Sequence, residues 1–240
     1  MSGTLSAADR PFGWVLRQAL RVVPKRLALP VFSGVNRGRL WIVGAGIHAC
    51  WVGNYERGKI ELAAGVVRPG MTVFDVGAHG GYYTLAFARL VGPQGRVVAF
   101  EPNPVNLRNL RRHVELNRVT NVEVVAAAVA DRSGTLRFET GNPQGSGRDQ
   151  YKGKVSAEGI EVRSFTLDEF GSPDVIKMDI EGGEGPAMVG AQRILAEHKA
   201  TIFVALHGIS DECCIAELRR HGYELDYIGQ QELRARPRAA

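Results

Sequence analysis

The sequence predicts a three-layer α/β fold: a mostly parallel sheet between helices, its last strand antiparallel, behind an N-terminal helical and β extension. Three observations predict it. From residue 73 onward, near-continuous apolar runs alternate with helix-period segments, the pattern of a parallel sheet buried on both faces. The first run, residues 73–77, carries Asp75 into the turn Gly77-Ala78-His79-Gly80-Gly81, and a helix follows. The second run, residues 96–101, ends in Glu101, twenty-four residues after Gly77. A carboxylate there is placed to hold the two ribose hydroxyls of an adenosine-containing cofactor.

Each element has a local reason. Residues 12–23 put Trp14, Val15, Ala19, Val22 and Val23 near one helical face and Arg17, Gln18 and Arg21 off it, an amphipathic helix ended by Pro24. Such a helix can make peripheral membrane contact or pack on its own domain. Residues 40–53 read as short strands or a hairpin around Gly44 and Gly46, too short and Gly-broken to span a bilayer. Residues 55–67 read as a helix before the turn Arg68-Pro69-Gly70. These segments form an extension over 1–68, ahead of a main domain over 69–240. In that domain, strands are expected at 73–77, 96–101, 122–129, 135–139, 174–180 and 201–207. Helices are expected at 82–90, 105–117, 184–198 and 212–220, the second directing Leu107, Leu110, Val114 and Leu116 inward. Residues 223–228 and the stretch near Glu232 read as a closing antiparallel pair. Residues 141–160, Gly-rich and polar, interrupt the rhythm and read as a mobile flap beside the site or as plain disorder.

Composition bounds the class. The chain has 240 residues, 45% hydrophobic and 23% charged, ordinary for one globular α/β unit with an extension. Net charge is +5, concentrated in Arg10, Arg17, Arg21, Lys25, Arg26, Arg37 and Arg39 and in the tail arginines Arg234, Arg236 and Arg238. A basic flank can meet nucleic acid or anionic lipid. No aromatic residues interleave with the tail arginines, which disfavours single-stranded nucleic acid. Cys50, Cys213 and Cys214 are odd in number and lack CxxC spacing, so a reducing cytoplasm is expected. No apolar core of signal-peptide length precedes the first charges.

Charge also narrows the cofactor. The turn is GAHGG, not the GxGxxG of dinucleotide folds, and Asp75 would repel a pyrophosphate while suiting an ammonium. S-adenosylmethionine offers an ammonium, a sulfonium and a ribose but no phosphate, and is favoured over NAD. The run FDVGAHGGYYTLAFARLVGPQGRVVAFEPNP, followed by LNRVTNVEVVAAAVADRSG and VIKMDIEGGE, resembles the FkbM-type branch of the class I S-adenosylmethionine-dependent methyltransferases over roughly residues 55–225. The resemblance implies a Rossmann-like class I sheet and O-methylation of a hydroxyl on a sugar, glycan or secondary metabolite. It also implies that Asp75, Gly77 and Gly81 line the methionine part of the cofactor, with Ala78, His79 and Tyr82 beside them. Glu101 would accept the ribose hydroxyls, Pro102 and Asn103 would lie near ribose or adenine, and Ala128, Val129 and Asp131 would border the adenine. Asp179 would close its strand beside the sulfonium. The family usually carries Asn where this chain has His79.

Methyl transfer is an in-line displacement on an activated electrophile, so the protein must position the acceptor and remove its proton. A hydroxyl is a weak acid and benefits from a base or a metal. Lys177, Asp179, Glu181, Glu184 and His207 gather where ligands bind in open α/β sheets. Lys177 and Asp179 share a strand face, roughly 7 Å apart. His207 is the candidate base; Glu181 and Glu184 read as helix-start charges. A divalent metal on Asp179, His207 and Asp211 is the less favoured alternative. Tyr82 or Tyr83 could shelter the sulfonium or simply pack in the core. His113 and His221 read as surface residues. Two other classes stand beside this reading: an RNA methyltransferase, and a non-catalytic nucleoside-binding partner subunit.

Overall fold

The computed structural model describes residues 23–141, 153–208 and 210–238, so the amphipathic segment expected at 12–23 lies outside the described residues except for Val23. A short antiparallel ribbon, β1 (Ala28–Pro30) with β2 (Leu40–Ile42), leads into α1 (His48–Val52) and α2 (Arg57–Ala64). Then follow β3 (Thr72–Val76), α3 (Tyr82–Val91), β4 (Arg96–Phe100), α4 (Pro104–Leu116) and β5 (Val122–Val125). A second sheet holds β6 (Ala128–Val129), β7 (Gly134–Thr140), β8 (Gly153–Val155) and β9 (Ile160–Phe165). The chain returns through β10 (Val175–Met178), α5 (Glu184–Val189), α6 (Gln192–Ala196), β11 (Thr201–Ala205) and α7 (Asp211–Arg220) to the hairpin β12 (Tyr223–Gly229) and β13 (Glu232–Pro237).

The main sheet runs β12-β13-β11-β10-β3-β4-β5. Its strands β11, β10, β3, β4 and β5 are mutually parallel, while the last strand, β13, is antiparallel to both neighbours. This is the expected mostly parallel sheet. Side chains alternate across it. Phe74 and Val76 of β3 enter the core beneath α5, α6 and α7, whereas Val73 faces the core built by α3 and residues 23–67. Asp75 shares the face of Val73, and the parallel register sets Lys177 of β10 directly opposite it. Lys177 Nζ lies 3.3 Å from Asp75 Oδ1, and Thr84 Oγ1 donates to Asp75 Oδ2 at 2.6 Å. Lys177 also donates to the carbonyl of Gly77 at 2.8 Å, so one buried cation ties β3, β10 and the turn after β3.

Several local readings are corrected. The stretch 40–53 is no hairpin around Gly44 and Gly46: residues 40–42 pair with 28–30, and residues 48–52 are helical. The apolar run 122–129 is two strands in different sheets, because the chain leaves the main sheet after Val125 and β6 pairs with β9. The 141–160 stretch contains β8, followed by the start of β9 at Ile160, and both belong to the second sheet; residues 142–152 lie outside the described residues. Helix 184–198 is broken at Gly190, whose backbone presses on Ala130 so that a Cβ would meet its carbonyl at 2.2 Å. The second piece starts afresh, with the Asp168 carboxylate accepting from the N–H groups of Arg193 and Ile194.

His113 is not at the surface. It is fully buried with Leu110 and Asn106, while Leu107, Val114 and Leu116 are only partly covered. Its ring stacks on Trp41 at 3.9 Å between centroids. Nε2 accepts from the Ile42 N–H at 2.9 Å and Nδ1 donates to the Gly80 carbonyl at 2.7 Å. Both bonds require the neutral ring, and burial holds its pKa down to about 4. The ring thereby fastens β2 to the turn that follows β3.

Two substitutions test these buried contacts. Lys177→Ala leaves Asp75 buried without its counter-charge and should cost about 3–5 kcal/mol of stability in urea unfolding. His113→Ala removes two hydrogen bonds and a stacked ring and should cost about 2–4 kcal/mol by the same measurement.

Candidate active site

Strand order reverses direction at β3. The chain proceeds from β3 outward to β4 and β5, then crosses back to β10 on its other side and continues to β11. In such sheets the carboxyl ends at the reversal open a crevice for ligands. A cavity of about 560 Å³ lies there, a size suited to a nucleoside cofactor with a small acceptor.

The turn after β3 forms one wall, with Gly77, Ala78, His79 and Tyr82 lining the cavity. Gly77 adopts φ 77°, and a Cβ there would meet the Asp179 carbonyl at 1.9 Å, so only glycine lets this turn pass the end of β10. His79 adopts φ 53°, a left-handed conformation in which Asn is the easier occupant. Its backbone N–H donates to Glu101 Oε2 at 2.7 Å, while desolvation and the nearby Lys177 charge hold its imidazole pKa down to about 4.

Glu101 is 4% exposed at the tip of β4 and lines the cavity. Burial pushes its pKa up to about 7, against the N–H groups of Asn103 and His79 and the Asn106 amide, which favour the anion. Asn103 and Pro102 line the cavity too. The Asn103 carboxamide, however, is spent capping α4, where Oδ1 accepts from the Val105 N–H. Ala128 and Val129 of β6 close the wall beyond Glu101.

A cluster of acids around one imidazole forms the opposite end. His207 Nε2 lies 3.5 Å from Asp179 Oδ1 and 3.8 Å from Glu181 Oε2. Behind the ring, Glu184 Oε1 accepts from Nδ1 at 2.9 Å and from the Ile180 N–H at 3.1 Å. Glu184 is thus a fully buried carboxylate that orients His207, not merely a helix-start charge. The Glu184 hydrogen bond raises the His207 pKa to about 9 against burial, with the charges of Glu184, Asp179 and Glu181 adding to it. With no ion bound, these carboxylates favour the charged imidazole, which opposes the expected role of base. Lys177 lines the cavity as a fixed cation: burial opposes its charge, but Asp75, Asp179 and Glu56 hold its pKa above the ordinary lysine value.

Some expected residues stand elsewhere. Asp75 does not face the cavity; it is sealed behind Lys177 and Thr84. Gly81 is the N-cap of α3 and packs on Leu110. Asp131 is exposed and away from the cavity. Asp211 is no partner of Asp179, since its Oδ1 accepts from the His207 backbone N–H at 3.0 Å at the start of α7. Glu181 takes the place expected for it, because Glu181 itself turns left-handed at φ 53° just past β10. Tyr82 and Tyr83 are both buried and both line the cavity; Tyr83 donates to Glu56 Oε2 at 3.0 Å.

Sequence reasoning missed the far wall. Tyr55, Glu56 and Lys59 from the N-terminal segment, Phe138 and Val155 from the second sheet, and Glu232 from β13 all line the cavity. Lys59 pairs there with Glu232 and, at 3.7 Å, with Glu56. No motif marks these residues; the left-handed Glu56 at φ 43° is visible only in three dimensions.

Comparison with known proteins places the chain among methyltransferases. A family profile described as "Methyltransferase FkbM domain" matches residues 75–225. The chain is 43% identical over 84 residues to the 31-O-demethyl-FK506 methyltransferase FkbM of Streptomyces tacrolimicus, covering 35% of this chain and 30% of that protein. It is 38% identical over 79 residues to a protein-L-isoaspartate O-methyltransferase of Triticum aestivum, covering 33% of this chain and 31% of that protein. The chain thus spans about a third of the length of these curated relatives. Its fold is similar to the crystal structure of a methyltransferase FkbM from Methylobacillus flagellatus KT, with a TM-score of 0.51 and 20% identity, covering 78% of this chain and 53% of that one. The chain belongs to the FkbM methyltransferase domain family, whose methyl donor is S-adenosylmethionine.

Proposed function

We propose that this chain methylates a hydroxyl oxygen on a small acceptor: a sugar, a glycan end or a secondary metabolite. The observation that carries this reading is the pairing, in one cavity, of the buried Glu101 carboxylate at one end with the Asp179–Glu181–His207 cluster at the other. Glu101 fits the donor: a desolvated carboxylate facing a cavity suits a ligand that brings two ribose hydroxyls. The turn 77–79 would hold the methionine part, and Ala128 with Val129 would meet the adenine. When bound, S-adenosylmethionine supplies a methyl group already activated on a sulfonium. Lys177 keeps the turn rigid through the Gly77 carbonyl. Asp179 and His207 would orient the acceptor hydroxyl, whose proton leaves to solvent through this end of the cavity.

The cluster also bears on the acceptor. Both curated relatives are named for transfer to oxygen, one for a demethylated FK506 and one for protein L-isoaspartate. An isoaspartyl carboxylate would approach Asp179 and Glu181 against like charge, whereas a neutral hydroxyl would not. That favours the hydroxyl acceptor. Cys50, Cys213 and Cys214 are all free thiols, and no helix among the described residues is long and apolar enough to cross a membrane; a cytoplasmic location fits both.

Incubation with labelled donor and a library of hydroxyl compounds should yield methyl ethers, which survive mild alkali. Label released by alkali would mean carboxyl methylation and would sink the hydroxyl reading. Glu101→Ala should weaken binding of the donor, or of its demethylated product, by about 1–3 kcal/mol in calorimetry; unchanged affinity removes Glu101 from the site. The anion is the form that accepts two hydroxyls, so wild-type affinity should be level above the Glu101 pKa of about 7. Below it, affinity should fall by roughly tenfold per pH unit as the carboxyl protonates.

A further inference from the structure

We propose that Asp179, Glu181 and His207 form a divalent-cation site at the acceptor end of the cavity. The proposal rests on the methyltransferase reading above and adds to it a means of activating the acceptor. Each residue offers one ligand atom, and the three atoms lie within 4.8 Å of one another, close to what one ion with bonds of roughly 2.0–2.2 Å allows. One imidazole and two carboxylates leave positions open for water or substrate oxygen, a donor set suited to Mg²⁺, Mn²⁺ or Zn²⁺.

A fourth residue, outside these three, points the same way. Glu184 is fully buried and binds Nδ1 of His207, which turns Nε2 toward the two carboxylates; ligating histidines are oriented by carboxylates in this manner. The second oxygen of Glu184, Oε2, is also buried and finds no hydrogen-bond partner among the described residues. Three carboxylates thus crowd one imidazole. The lysines nearby are already engaged, Lys59 with Glu232 and Lys177 with Asp75. A divalent cation takes the place of the proton on Nε2 as the positive charge at the centre of these carboxylates. With a neutral imidazole, the three carboxylates and the dication leave one net negative charge.

The chemistry follows. A divalent ion draws electron density from a hydroxyl oxygen beside it, so the proton leaves to solvent more readily at neutral pH. The oxygen lone pair then forms the bond to the methyl carbon, and the carbon–sulfur pair returns to sulfur.

The test is titration of the chelator-treated full chain with Mn²⁺, read by loss of the free-ion electron-spin signal. One ion should bind per chain. Glu181→Gln, at a half-exposed position that does not threaten the fold, and Asp179→Asn should each weaken uptake at least tenfold. Glu184→Gln keeps the three ligands and should weaken it by roughly 10–100-fold. No Mn²⁺ uptake by the wild type, or equal uptake by Asp179→Asn and Glu181→Gln, overturns the site. Donor binding is measured in parallel by calorimetry. Donor bound without Mn²⁺ uptake overturns the cation site and leaves the methyltransferase reading standing; no donor binding overturns that reading itself.

Discussion

The buried pair of Asp75 and Lys177 is the constraint on which the site depends. It sits where β3 and β10 lie side by side at the reversal of strand order, in register and on one face. Two charges removed from water are costly, and they persist because each has further partners: Thr84 for the carboxylate, and the carbonyls of Gly77 and Val76 for the ammonium. The result is a turn after β3 whose backbone is held from behind. The same cation lies 5.2 Å over the ring of Tyr83, which in turn donates to Glu56. A single charged contact in the sheet therefore extends to the wall contributed by the N-terminal segment.

The cavity is divided by charge and by hydration. Around Glu101 the walls are backbone N–H groups and small apolar residues, and the carboxylate is desolvated enough to titrate near neutrality. Around His207 the walls are carboxylates, which without a bound ion favour the charged imidazole. The two regions share one space but push their ionisable groups in different ways: Glu101 by loss of water, His207 chiefly by its hydrogen bond to Glu184. A cationic donor suits that division better than a phosphate-bearing one would.

The segments outside the main sheet complete the enclosure. Residues 23–67 contribute Trp41, Tyr55, Glu56 and Lys59, fastened by His113 between the Ile42 N–H and the Gly80 carbonyl. The second sheet contributes Phe138, Gly153 and Val155, and the closing hairpin contributes Glu232. These pieces come from three distant parts of the chain.

Legibility followed the range of the interactions. The sheet strands, the turn 77–81 and Glu101 could be read because period, glycine placement and a strand-ending carboxylate are encoded within a few adjacent residues. The family resemblance rests on the same short segments. Errors arose where distant atoms settled the matter. Sequence logic aims Asp75 at the ligand, yet Lys177, 102 positions further along the chain, faces it across the β3–β10 register and closes it off. His113 looked solvated because its helix is polar, but Trp41 and Gly80 surround it. Asp211 looked like a ligand until it bonded the His207 backbone, and Glu181 entered the cluster through a left-handed residue no pattern announces. Hydrophobic period and turn chemistry act over one or two turns of chain. Burial, register and ion pairing act across the folded core, and they determine which way each charged side chain finally points.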